Sequence, residues 1–238
     1  MTFGLLTLGF FIGMRHAMET DHLAAMASLA TRSRSMSDTL RQGAAWGLGH
    51  TITLGIFGGF VLLLDAAMPE ALALALEFMV GLMLLGLGGD VLRRVIRERI
   101  HFHVHRHDDG AAHFHAHSHA GDDGHPVVHR HQHRRFSFPV RALLVGMMHG
   151  MAGSAALILL TMHTVHSPLS GILYIVLFGA GSIAGMAVLS MIIAIPLRYS
   201  ANGMTWLHNG LQGVIGVITL LAGAAIVYRT GITEGLLI

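Results

Sequence analysis

Apolar runs of about twenty residues recur along this chain, and they limit its fold more than any other feature. At about 1.5 Å of rise per residue, such a run spans the roughly 30 Å hydrocarbon core of a bilayer as a helix. Five clean spans read as residues 44–64, 71–89, 142–162, 169–197 and 206–227. A sixth, at the start, is interrupted: 3–14 and 23–30 are apolar, and the residues between are not. Charged residues make up only 12% of the chain and mean hydropathy is +0.62, which excludes a water-soluble globule. The expected fold is an all-α integral membrane protein of six transmembrane helices, the first of them broken. No basic n-region or small-residue cleavage pattern opens the sequence, so no removable signal peptide is expected.

Charge sets the orientation. Lysine is absent, so the pI near 9.7 comes from arginine, and its placement follows a membrane rule rather than a nucleic-acid one; no nucleic-acid partner is expected. Arg32, Arg34 and Arg41 occupy the first connection, and Arg93, Arg94, Arg97, Arg99, Arg130, Arg134 and Arg135 the third, with Arg198 in the fifth. The second offers only Asp65 and Glu70, and the fourth has no Arg, Asp or Glu. Connections one, three and five are therefore expected in the cytoplasm of a bacterial plasma (inner) membrane protein, with both termini outside. Arg229 opposes this count.

The chain also repeats. Gly13-Met14-Arg15-His16-Ala17-Met18 returns as Gly146-Met147-Met148-His149-Gly150-Met151. Gly47-Leu48-Gly49-His50 aligns with Gly179-Ala180-Gly181-Ser182, and Glu77 and Gly81 align with Gln212 and Gly216. The offsets are 133, 132 and 135. Residues 1–100 and 138–238 thus read as two three-helix repeats, inverted because each holds an odd number of spans, with a loop at 101–137 between them. Inverted repeats place a transport site near the midplane where the halves meet.

The interruption in the first span carries the chemistry. Arg15, His16, Glu19, Asp21 and His22 all lie within it, and a charge at the centre of a membrane helix costs about 2.5 to 3.5 kcal/mol. Arg15 and Glu19, four apart, are expected to pair on a helix face, which leaves Asp21 and both histidines unexplained. At about 100° per residue, Asp21 and His22 stand roughly 140° and 240° around a regular helix from His16. They converge on one ion only if the helix unwinds, which is tolerated where it lines a polar cavity. Imidazole and carboxylate suit nickel, cobalt or zinc, and the absence of cysteine removes thiolate sites, disulfides and iron–sulfur clusters. His50, flanked by glycines, is expected to add a ligand from the second span. His149, at the repeat position of His16, and Glu19 and Glu77 are further candidates for the ion path. His163, His166 and His208 fall near span ends, where imidazole is easily solvated, and are left out of the site.

Twelve of the 19 histidines crowd between 101 and 133, largely alternating: His101, His103, His105 and His107, then His113, His115, His117 and His119. Mixed with Gly, Asp and Arg, this cytoplasmic loop is expected to be disordered without metal and to bind ions weakly as an accessory buffer.

Residues 15 to 25, Arg-His-Ala-Met-Glu-Thr-Asp-His-Leu-Ala-Ala, resemble the His-x4-Asp-His signature of the nickel/cobalt transporter family, and Gly47-Leu-Gly-His-Thr51 resembles its second motif. The resemblance implies a secondary permease importing Ni²⁺ or Co²⁺ as cargo, with no cofactor, in which His16, Asp21, His22 and His50 are required. Typical bacterial members have eight spans; this chain lacks the helix that usually precedes the signature, and the family's Asp-Thr-Ala-Thr-Glu motif is replaced by Gly-Met-Met-His-Gly-Met-Ala-Gly-Ser-Ala-Ala. In this it looks like the short branch associated with the maturation of nickel enzymes such as urease or hydrogenase. The nearest alternative is a nickel, cobalt or zinc efflux permease. A membrane metalloprotease needs His-Glu-x-x-His, which His16-x2-Glu19-x2-His22 does not supply, so no enzyme is expected. A metal sensor is the weakest reading.

Overall fold

The computed structural model describes residues 2–33, 35–64, 69–97, 101–106, 112–117, 138–152, 168–201 and 205–237. Among the described residues the regular structure is helical except for one hairpin. Helix α1 covers Thr2–His16, α2 Thr20–Ala30, α3 Met36–Leu64 and α4 Glu70–Arg97. After the hairpin come α5 (Val140–Ala152), α6 (Pro168–Ala201) and α7 (Thr205–Tyr228), which ends in a π-helical turn, Arg229–Thr233. Helices Glu70–Arg97, Leu169–Ala201 and Trp206–Thr233 are long and apolar enough to cross a membrane, which marks a membrane protein.

The helix ends follow local chemistry. Ser35 caps α3 by accepting the Asp38 N–H at 3.0 Å. Pro69 and Pro139 stand just before α4 and α5, and Pro168 opens α6, positions where a missing N–H costs no helical bond. Arg94 and Arg97 fill the last turn of α4, where cations complement exposed carbonyls. Pro196 lies inside α6, and the helix continues past it to Ala201 rather than ending in a turn there. Its ring removes one helical hydrogen bond in a helix of 34 residues.

Close glycine crossings hold the bundle together. Helix α1 packs on α6, α3 on both α5 and α6, and α4 on α7. A Cβ added at Gly13 would lie 2.1 Å from the Phe178 carbonyl oxygen, and one at Gly181 would lie 2.0 Å from that of Phe10. The crossing of α3 and α5 repeats this pattern: Gly146 faces the Trp46 oxygen at 2.1 Å and Gly49 that of Leu143 at 2.2 Å. A third crossing is matched within itself: Gly88 meets Gly216 O and Leu220 N, and Gly223 meets Gly81 O and Leu85 N, all at 2.8 Å. The equivalent residues of these contacts lie at the offsets of the sequence repeat: Gly13 and Gly146 at 133, Trp46 and Phe178 at 132, Gly49 and Gly181 at 132, and Gly88 and Gly223 at 135.

Ionic contacts gather at the ends of the helices. Asp90 on α4 binds Arg32 after α2, with Arg94 and Arg141 each 3.7 Å away. The arginines assigned to connections one and three therefore meet at one end of the bundle. Arg229 pairs with Glu77 and lies 3.5 Å from Glu234, so the arginine that opposes the orientation count has its charge matched by carboxylates.

Two segments of the histidine-rich loop are described. His101–Arg106 and Ala112–His117 form an antiparallel pair, in a register that sets His101 opposite His117, His103 opposite His115 and His105 opposite His113. Strict alternation is the period of a strand, and it applies here to imidazole as it does to apolar residues. His107 and His119 lie outside the described residues.

Candidate metal centre

The first span breaks where the ionisable residues fall. Helix α1 closes at His16 through the short bonds Met18 N–H to Arg15 O at 2.9 Å and Glu19 N–H to His16 O at 3.0 Å. Glu19 is extended (φ −64°, ψ 149°), and α2 starts again at Thr20. The break cancels the roughly 240° separation that one regular helix would impose: the rings of His16 and His22 stand edge to face, 4.5 Å apart. His50, within α3, lies 5.1 Å from His16 and 5.2 Å from His22 between ring centroids. His149, near the end of α5, lies 4.1 Å from His22. All four imidazoles are buried, from 0% exposure at His50 to 7% at His16.

Two sets of ligand atoms converge, each within 4.8 Å of one another: His16, His22 and His50, and Asp21, His22 and His149. Hydrogen bonds fix which ring nitrogens are free. His16 Nδ1 lies 2.8 Å from Glu19 Oε1, and His22 Nδ1 lies 3.0 Å from Asp21 Oδ1. An ionised carboxylate only accepts, so both nitrogens donate and each ring leaves its Nε2 lone pair free. Among the described residues neither Nε2 has a hydrogen-bond partner, nor has either nitrogen of His50, and all are buried. Buried polar atoms without partners are rare enough to need a reason. Three imidazoles with a ligand nitrogen each within 4.8 Å of the others are a set that could hold a borderline divalent ion.

Aromatic rings wall the cluster. Trp46, fully buried, stacks parallel to His22 at 5.9 Å and stands edge-on to His149 at 5.7 Å. Phe178 lies 5.4 Å from His16. Sequence reading missed both residues. The signals available were the four-residue spacing of Trp46 from His50, which puts them on one helical face, and the 132-residue offset that pairs Trp46 with Phe178.

The structure thus gathers His16, Asp21, His22, His50 and His149, with Glu19 behind His16. The Arg15–Glu19 pair does not form. It needs unbroken helix between the two residues, and Glu19 sits beyond the break with its carboxylate on His16. Glu77 is not brought to the cluster; its carboxylate is taken by Arg229. His208 donates from Nδ1 to Leu197 O at 2.9 Å and accepts from Gln212 Nε2 at 2.7 Å, away from the other histidines. His163 and His166 lie outside the described residues.

No family model matches the chain, and no solved structure matches it. The urease accessory protein UreH of Bacillus sp. (strain TB-90) is 35% identical over 234 residues, a match covering 98% of this chain and 94% of that protein. At that identity, over nearly the whole of both chains, this protein belongs to the family of urease accessory protein UreH.

Proposed function

We propose that the protein is a secondary permease that carries Ni²⁺ or Co²⁺ into the cell. The observation that carries this reading is the set of three buried imidazoles, His16, His22 and His50, each with a ligand nitrogen within 4.8 Å of the others inside an apolar bundle. Asp21 and Glu19 supply negative charge beside it, which offsets the charge of the entering ion. Nitrogen ligands without sulfur favour nickel, cobalt and zinc over softer ions. UreH is by name an accessory protein of urease, and a nickel supply for urease maturation fits that role here.

The matched glycine crossings support two inverted three-helix repeats making six spans, with the ion between them. The gathering of Arg32, Arg94 and Arg141 at Asp90 supports one cytoplasmic end, which puts both termini outside the bacterial inner membrane. Purified protein in liposomes is expected to accumulate radiolabelled Ni²⁺ or Co²⁺ under an imposed metal, proton or voltage gradient. Failure to move either ion under any gradient overturns the permease. In intact expressing cells, net loss of metal without uptake overturns the direction.

The histidine loop serves as a cytoplasmic ion buffer in this reading. Deleting residues 101–133 is expected to remove most weak Ni²⁺ binding, measured by equilibrium dialysis, while transport persists. Complete loss of transport in a deletion protein that still folds would make the loop part of the pathway.

A further inference from the structure

We propose that Asp21 serves the ion indirectly, as a positioning carboxylate that aligns the ligand His22 and fastens it to His149 in the other half of the chain. The proposal rests on the reading of the centre given above, with the ion at His16, His22 and His50.

Both oxygens of Asp21 are already engaged. Oδ1 accepts the backbone N–H of His22 at 2.8 Å and its ring Nδ1–H at 3.0 Å. Oδ2 accepts from His149 Nε2 at 2.8 Å. Three of the roughly four lone-pair sites of the carboxylate are therefore taken, both of those on Oδ1, and an outer role keeps all three bonds while leaving His22 Nε2 free. Glu19 stands in the same relation to His16. A carboxylate behind a ligating imidazole fixes its tautomer and ring direction and raises its basicity. Here Asp21 holds one edge of the His22 ring and Trp46 covers its face.

His149 gives the arrangement its second function. It belongs to α5, while Asp21 and His22 belong to α2. The strap from His149 through Asp21 to His22 therefore crosses between the halves. Any movement of α5 away from α2 removes a donor from Asp21 and loosens the ligand it aligns, so the hold on the ion depends on how the halves are packed.

The test is equilibrium Ni²⁺ binding to the purified full-length protein, with X-ray absorption of the bound ion counting imidazoles. Asp21→Asn and His149→Ala are each expected to weaken binding about 10- to 100-fold, the usual cost of removing an outer-shell partner. The double variant should lose no more than the worse single one, because both act through the same ring. His149→Gln, whose amide can donate to Asp21, should recover most of the loss, and it keeps the test open if His149→Ala does not fold. The imidazole count should stay at three in all of these variants. A count that falls in His149→Ala, additive losses in the double variant, or unchanged affinity in both singles would overturn the proposal. Wild-type protein that binds no Ni²⁺ would overturn the metal centre itself, a separate result.

Discussion

Replacing His50 by leucine is expected to abolish Ni²⁺ binding at the buried centre and, in the absence of metal, to raise the thermal midpoint of the protein. The two effects have one cause. His50 is fully buried and neither of its ring nitrogens has a hydrogen-bond partner among the described residues. An unsatisfied buried polar group costs about 1 to 3 kcal/mol, and an apolar group of similar size removes that cost. The same substitution removes one of three ligands, a loss larger than the about 100-fold upper end for an outer-shell partner. His16 and His22 are less clean subjects, since each also anchors a carboxylate whose release would disturb the break between α1 and α2. Thermal unfolding in detergent, paired with Ni²⁺ binding, reads both effects. Binding that survives His50→Leu would remove His50 from the ligand set. A lower midpoint would mean that its ring is held by packing rather than kept for an ion.

How much of this was legible in the sequence depends on the distance over which each feature is decided. The break between α1 and α2 was readable because charged and histidine residues cannot sit inside an uninterrupted apolar helix at low cost. His16, Asp21, His22 and His50 followed from that break and from a glycine-flanked histidine. His149 was visible only through the repeat, as the counterpart of His16 at an offset of 133. Trp46 and Phe178 were missed because their contacts depend on how helices cross, which no local pattern records. For Glu77, a lone acid in an apolar span left an ion-path role and a structural one equally open, because its partner Arg229 lies 152 positions away.

The repeat also explains why the centre is lopsided. At the same offsets, His50 corresponds to Ser182, and Asp21 and His22 correspond to Ser154 and Ala155. Ser182 donates to the Gly13 carbonyl oxygen at 3.2 Å, a packing role rather than a ligand's. One half of the proposed repeat supplies His16, His22 and His50; the other supplies His149 and Phe178, whose rings pack against them. In the proposed permease, matched crossings would thus carry ligands on one side and supports on the other.

The second large effect is expected at those crossings. Gly13→Ala and Gly146→Ala would each place a methyl group 2.1 Å from a backbone carbonyl oxygen, of Phe178 and Trp46 respectively. A flexible side chain could swing aside, but helical backbone moves only if the whole helix moves. Overpacking of an ordinary core costs about 1 to 3 kcal/mol, and forcing two helices apart should exceed it. The separation would also open the centre, because α1 carries His16 against Phe178 on α6, and α5 carries His149 against Trp46 on α3. Both variants should therefore lose Ni²⁺ binding together with stability, although neither residue touches the ion. Gly55→Ala and Gly86→Ala make the same chemical change where an added Cβ meets nothing within 4 Å. These should gain up to about 1 kcal/mol from helix propensity and bind Ni²⁺ like the parent. Thermal midpoints and Ni²⁺ affinities of the four variants, measured side by side, decide the matter. Equal behaviour of the two pairs would mean that the close crossings do not hold the bundle, and that the centre draws its geometry from the break in the first span alone.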